Sequence, residues 1–140
     1  MSKSIKLKDN YYLDSSSVMH NREKLSDFLS RIIESGSNTN GNYIKCLDGT
    51  LVQYGAVNLT TGTAAYTSGY THYGVDTLIN LPFPFIDTNY SVLANSNTPI
   101  DYISNINANR GSTTAIAIRF QSSQPNYSRL IYWLAIGRWK

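Results

Sequence analysis

The chain has 140 residues, 41% apolar, 15% charged and 12% aromatic, with a formal charge of +3. That size fits one globular domain with a short appendage. No run approaches the ~18 consecutive apolar residues of a membrane span, and Met1-Ser-Lys-Ser-Ile-Lys-Leu-Lys8 lacks the apolar core of a secretory signal. A soluble protein made in the cytoplasm, with no membrane insertion, is expected.

The positive charge alone invites a nucleic-acid partner, but the basic residues are scattered singly, and nucleic-acid binding is not expected. After Asp101 there is no acidic side chain, whereas Arg110, Arg119, Arg129, Arg138 and Lys140 follow. These either present a mildly positive face or sit apart on separate strands, whose faces alternate. The single cysteine, Cys46, permits no intrachain disulfide and no cysteine-rich zinc site.

In chain order, residues 1–13 alternate at Ile5, Leu7, Tyr11 and Leu13, which predicts a short extended arm. Asp14-Ser-Ser-Ser17 offers N-cap side chains, and Leu25, Phe28, Leu29, Ile32 and Ile33 recur at helical spacing up to Gly36, predicting a helix over about 17–35. Val18, Leu25 and Ile32 are seven apart with Phe28 between the last two, the spacing of a short coiled-coil seam. A lone helix of this length is marginal in water, so its stripe needs cover, either from the head or from other copies. Ser35-Gly-Ser-Asn-Thr-Asn-Gly-Asn42 reads as a flexible connector and favours other copies. The division is therefore 1–35 arm and helix, 36–42 linker and 43–140 head.

From Tyr43 the period becomes strand-like, and Asp48-Gly49 between two alternating runs predicts a hairpin with a two-residue primed turn. Further strands are predicted at 75–81, 90–95, 100–105, 113–120 and 129–136. Short strands at this spacing give an antiparallel sandwich or barrel, so the class is mainly β after the helix. Serine, threonine and asparagine supply 43 of the 140 residues, a composition suited to displaying hydroxyls and amides. The last strand is apolar on both faces, with Leu130, Tyr132, Leu134 and Ile136 on one and Ile131, Trp133 and Ala135 on the other. Such a strand is central in its sheet or buried between subunits. An oligomer is expected, with Val18, Leu25, Phe28, Ile32 and Trp133 as its contacts.

Tyr43-Ile-Lys-Cys-Leu-Asp-Gly-Thr-Leu-Val-Gln-Tyr-Gly55, then Leu81-Pro-Phe-Pro-Phe85 with Tyr90-Ser-Val-Leu-Ala94, then Trp133-Leu-Ala-Ile-Gly-Arg-Trp139 resemble the C-terminal domain of phage tail-fibre and receptor-binding proteins. Lys3-Ser-Ile-Lys-Leu-Lys8, Leu13-Asp-Ser-Ser-Ser17 and His20-Asn-Arg22 resemble the N-terminal part of small phage structural proteins of Gram-positive hosts. The resemblance implies a virion protein: a homotrimer with a helical stalk and a β-sandwich head similar to H-type lectins. It implies host glycans or wall polymers as ligands and other virion proteins as partners of the N-terminal segment. The short chain leaves almost no shaft, which favours a tip, baseplate or capsid-decorating part. The alternative is a structural virion component with no receptor.

The residue inventory gives no enzyme, cofactor or metal site. Neither His20 nor His72 lies in a motif with a nucleophile, a carboxylate pair or a second ligand, and no phosphate loop or dinucleotide fingerprint is present. His72 would bind a cation only where copies meet on a symmetry axis. Sugar recognition needs an aromatic face for the C–H patch of the ring and amides or carboxylates for its hydroxyls. Asn58 to Gly74, read as a long loop with Tyr66, Tyr70, His72 and Tyr73, offers both. The second candidate is Asn95, Asn97 and Asp101 with Tyr102, and the third is Asn107 to Arg110, read as a turn ending in a cation for an anionic polymer. Each has an equally plain reading as a solvated turn or a subunit contact.

Overall fold

The structure, a computed structural model, describes residues 31–67, 70–96 and 102–140; for residues 65–67, 70–72 and 104 it describes the backbone alone. Among these residues every regular element is a strand: β1 Ile32–Asn38, β2 Gly41–Cys46, β3 Thr50–Thr60, β4 Ala65–Thr67, β5 Tyr70–Asn80, β6 Ser91–Ser96, β7 Ile103–Arg110, β8 Ala115–Ser122 and β9 Ser128–Arg138. They form two antiparallel sheets, one ordered β1-β2-β3-β9-β6 and the other β4-β5-β8-β7. The five strands predicted after residue 74 correspond to β5 through β9.

Alternation along these strands builds the core. Leu51, Leu59, Ile131, Trp133 and Ala135 from the five-stranded sheet meet Ile116, Ile118 and Phe120 from the four-stranded sheet. β3 and β9 pair from Thr50–Arg138 to Thr60–Ser128, which makes β9 an interior strand. Its inner residues Ile131 and Ala135 are fully buried, while Tyr132 and Ile136 on the other side are 46% and 43% exposed. The doubly apolar pattern thus belongs to a central strand whose outer face is exposed within the protomer. Trp133, expected at a contact between copies, is 3% exposed and belongs to the core.

The segment after β5 carries the chain between the sheets. Prolines 82 and 84 keep it out of either ladder. Leu81 and Phe85 donate their N–H groups to Thr114 O and Thr113 O, both at 2.8 Å, and Phe83 N–H donates to buried Gln53 Oε1 at 2.8 Å. Phe85 then stacks on Tyr90 with ring centres 4.3 Å apart, and the Tyr90 hydroxyl donates to Ser112 O and Ala115 O.

Three expectations change. Residues 32–42, read as a helix end and a linker, form the β1–β2 hairpin, so Ile32 lies on a strand and pairs with Cys46. The polar run is the exposed edge of a sheet, where burial asks for little apolar character, and Gly36 makes room for the Tyr43 ring. The β2–β3 hairpin turns through three residues, Leu47, Asp48 and Gly49. Gly49 N–H donates to Cys46 O at 3.1 Å, and its φ of +95° is the glycine position of a bulged three-residue turn. Among the described non-glycine residues only Asn126 has positive φ, so Asp48 does not adopt the primed conformation; its Oδ1 accepts Thr50 N–H at 2.9 Å instead. Val18, Leu25 and Phe28, the arm and the rest of the helix lie outside the described residues.

Candidate functional site

The exposed face of the four-stranded sheet gathers amides. β7 carries Asn105, Asn107 and Asn109 at every second position, all exposed, while Ile106 and Ala108 between them pack toward the core. Antiparallel register sets Asn105 opposite Gln121, Asn107 opposite Arg119 and Asn109 opposite Ala117 on β8. β5 then sets Asp76 opposite Arg119 from the other side. The three strands create one shallow depression of about 450 Å³ from residues up to 45 positions apart in sequence.

Its polar groups are held to each other. Arg119 Nε and Nη2 donate to the two carboxylate oxygens of Asp76 at 2.7 and 2.9 Å, a bidentate pair that is about half exposed. Asn109 Nδ2 donates to Asn107 Oδ1 at 2.6 Å, and Asn105 Nδ2 donates to Gln121 Oε1 at 3.3 Å. These bonds fix which way each amide points, so carbonyl acceptors and N–H donors stand in a defined order along the strand. Exposed Leu78, opposite Ala117, adds an apolar edge.

A second depression of about 460 Å³ lies between β6 and β7, lined by Asn89, Ser91, Leu93, Asn109 and Arg110. Arg110 Nη1 donates to Thr88 O at 3.2 Å, which steers its guanidinium toward that side. Asn109 lines both depressions. The third exposed feature is apolar: Leu93, Tyr132 and Leu134 on the outer face of the five-stranded sheet border a depression of about 190 Å³.

The sequence-predicted residues distribute unevenly over these features. Arg110 lines the β6–β7 depression, but Asn107–Arg110 is the end of β7 rather than a turn. Asn95 is exposed on β6 opposite Tyr132 and lies beside the apolar depression, away from the amide face. The segment 58–74 is mostly strand: the end of β3, then β4 paired with β5, with Tyr66 on β4 and Tyr70 and His72 on β5. Tyr73 is half-buried opposite buried Ser122, on the core side of β5. Tyr102 is 50% exposed and meets Tyr127 edge-on at 5.7 Å. Asn97 and Asp101 lie outside the described residues. Among the described residues no group of three or more His, Cys, Asp and Glu side chains is placed to hold a metal ion.

Sequence reasoning missed Asp76, Asn105, Arg119 and Gln121 as one site. The available signal was Asn-x-Asn-x-Asn at strand period; reading it as a turn hid it.

Residues 45–138 match the family described as putative tail fiber protein gp53-like, C-terminal. Among solved structures, the chain is similar to the C-terminal part of the P. aeruginosa R2 pyocin fibre, at 17% identity over 91% of this chain and 30% of that one, with a TM-score of 0.50. It is also similar to the C-terminal part of the P. aeruginosa R1 pyocin fibre, at 14% identity over 91% and 32%, with a TM-score of 0.49. The chain thus spans about a third of the length of these two. An N-truncated R1-type pyocin tail fibre matches at 13% identity over 91% of this chain and 98% of that one, with a TM-score of 0.49. At such identities the likeness bears on the fold alone. No curated protein matches the sequence.

Proposed function

The chain belongs to the gp53-like tail-fibre C-terminal family, a virion-associated class, and from that premise we propose that it is a receptor-binding head that adheres to host cell-surface saccharide. The observation that carries this reading is the extent of the polar display. Two open depressions of about 460 and 450 Å³ share Asn109, and half of the residues lining each carry an amide or a hydroxyl, beside one arginine each. Open, shallow sites of this kind suit an extended polymer grasped along its length. The head is read as a binding module with no catalytic step and no cofactor.

The chain is further read as a homotrimer whose copies meet through the apolar outer face of the five-stranded sheet, with the N-terminal segment docked on other virion proteins. Supporting this, Leu93 is 68% exposed and Tyr132 46% exposed on that face. Trimerisation serves the function directly. A single shallow saccharide site binds with a dissociation constant on the order of 1 mM, or about 4 kcal/mol. Three sites on one head, and several heads on one particle, raise the avidity without new contacts.

The test is binding of fluorescently labelled protein to intact Gram-positive cells and to their extracted wall polysaccharides. Saturable binding that free polysaccharide competes away is the expected result. A folded, oligomeric sample that binds no cell and no polymer would overturn the receptor reading and leave a purely structural part of the particle.

A further inference from the structure

We propose that the outer face of β5, β8 and β7 is the saccharide site itself and that it takes an uncharged sugar, lying along the Asn105-Asn107-Asn109 ladder. The inference rests on the adhesion reading above and narrows it to one face and one ligand class.

The first argument is that strand formation does not account for these residues. Asparagine is depleted in strands because its side chain competes for the backbone. Yet β7 places three in succession on its exposed face, where threonine or valine would serve the ladder better. Each primary amide offers two donors and an acceptor with two lone pairs, the complement of a sugar hydroxyl, which both donates and accepts. The bonds from Asn109 to Asn107 and from Asn105 to Gln121 order these groups before any ligand arrives. Ordering in advance lowers the entropy lost on binding.

The second argument concerns charge. Among the described residues lining this depression the charged ones are Asp76 and Arg119, and they are locked to each other in a bidentate pair. An exposed pair of this kind adds little stability, so the needs of folding do not account for it. Its effect here is to hold a planar guanidinium and a carboxylate in fixed positions beside the amides while leaving the face with no net charge. A polyanion gains nothing there, whereas vicinal hydroxyls find donors and acceptors together. Leu78 and Ala117 supply the apolar border against which C–H groups of a sugar ring can rest. Arg110, by contrast, points into the neighbouring depression.

Two arms test the assignment on the full chain. In the first, isotope-labelled protein is titrated with the methyl pyranosides of glucose, galactose, mannose and N-acetylglucosamine, and its amide resonances are followed. Shifts are expected at Asn105, Asn107, Asn109, Arg119 and Gln121, with affinity changing by less than about twofold between about 50 and about 500 mM salt. No shift at these five residues with any of the four sugars overturns the assignment. A fall of about tenfold across that salt range overturns the uncharged class.

In the second arm, cell binding is compared between the wild type and an Asn107→Thr, Asn109→Thr double variant. Threonine favours strands, so the thermal midpoint should stay level or rise while cell binding falls by about tenfold or more. A variant that stays folded and binds cells as the wild type does overturns the site but leaves adhesion standing. A wild type that binds no cell removes the adhesion reading, and this inference with it.

Discussion

The ammonium of Lys45 lies 3.5 Å from the centre of the Phe83 ring, on a side chain only 8% exposed. Tyr43 and Trp139 flank it at 5.6 and 5.4 Å, and Glu34 Oε2 accepts from it at 3.2 Å. A cation so enclosed gains about 2 kcal/mol from the ring face when desolvated. Lys45→Met keeps the volume and should lose about that much in urea unfolding. Lys45→Glu sets a second carboxylate beside Glu34 and against the faces of the rings, and should lose more than Lys45→Met. Equal unfolding midpoints for the two variants would sink this account.

The same cluster predicts pH dependence in both directions. Glu34 accepts from the Tyr43 hydroxyl at 2.8 Å and from Lys45, and these bonds, Tyr43 first, hold its carboxyl below the ordinary carboxylate range. Its contribution to stability is therefore complete above that range and disappears as pH falls through the lowered value. Tyr43 is the mirror case. The bond to Glu34 raises its phenol above the usual value of about 10, so that contribution is present below about pH 10 and is lost as pH rises through the raised value. Thermal midpoints of wild type and Glu34→Gln should differ near neutrality and converge in acid. Parallel curves down to the lowest pH would contradict the assignment.

Gly55 lies under the Trp133 indole, and a Cβ there would stand 2.8 Å from the ring. Gly55→Ala should destabilise by about 1–3 kcal/mol through overpacking. Trp133→Ala should cost about 3–5 kcal/mol through the cavity left behind. If the tryptophan has to move to admit the new methyl group, adding Gly55→Ala to Trp133→Ala should cost far less than Gly55→Ala alone. Additive unfolding energies would show that the two residues do not press on each other.

Leu93 contributes to the outer face of β6 and is exposed within the protomer, so Leu93→Lys should leave the thermal midpoint of an isolated copy within about 0.5 kcal/mol equivalent. If copies meet on this face, as the proposed trimer requires, sedimentation equilibrium should show a smaller assembly for that variant than for the wild type. An unchanged mass would place the contact elsewhere.

What the sequence made legible followed burial. β8 and β9 announce themselves because Ile116, Ile118, Phe120, Ile131 and Trp133 alternate with residues that face outward. β1 does not: Glu34-Ser-Gly-Ser-Asn38 has no apolar alternation, since an edge strand at the rim buries little, and the helical spacing ending at Ile32 and Ile33 pointed another way. The hairpin at Gly49 was readable, but its third residue was not, because Asp-Gly serves both turn types. The amide face was half visible. Asn105, Asn107 and Asn109 stand in plain order, yet the partner that defines the site, Arg119 with Asp76, joins residues 43 apart through a register no local pattern encodes.

The interior place of β9 has a consequence for how the protein is made. Its first residues pair with Thr60, 68 positions earlier, so the five-stranded sheet stays in two parts until the last strand arrives. Until then β3 and β6 each leave bare the edge that β9 later covers, and such an edge invites pairing with another chain. Folding dominated by such distant contacts runs in about milliseconds to seconds. A ribosome that stalls before residue 128 would thus release an aggregation-prone chain, which makes intact translation of the closing strand a condition for soluble product.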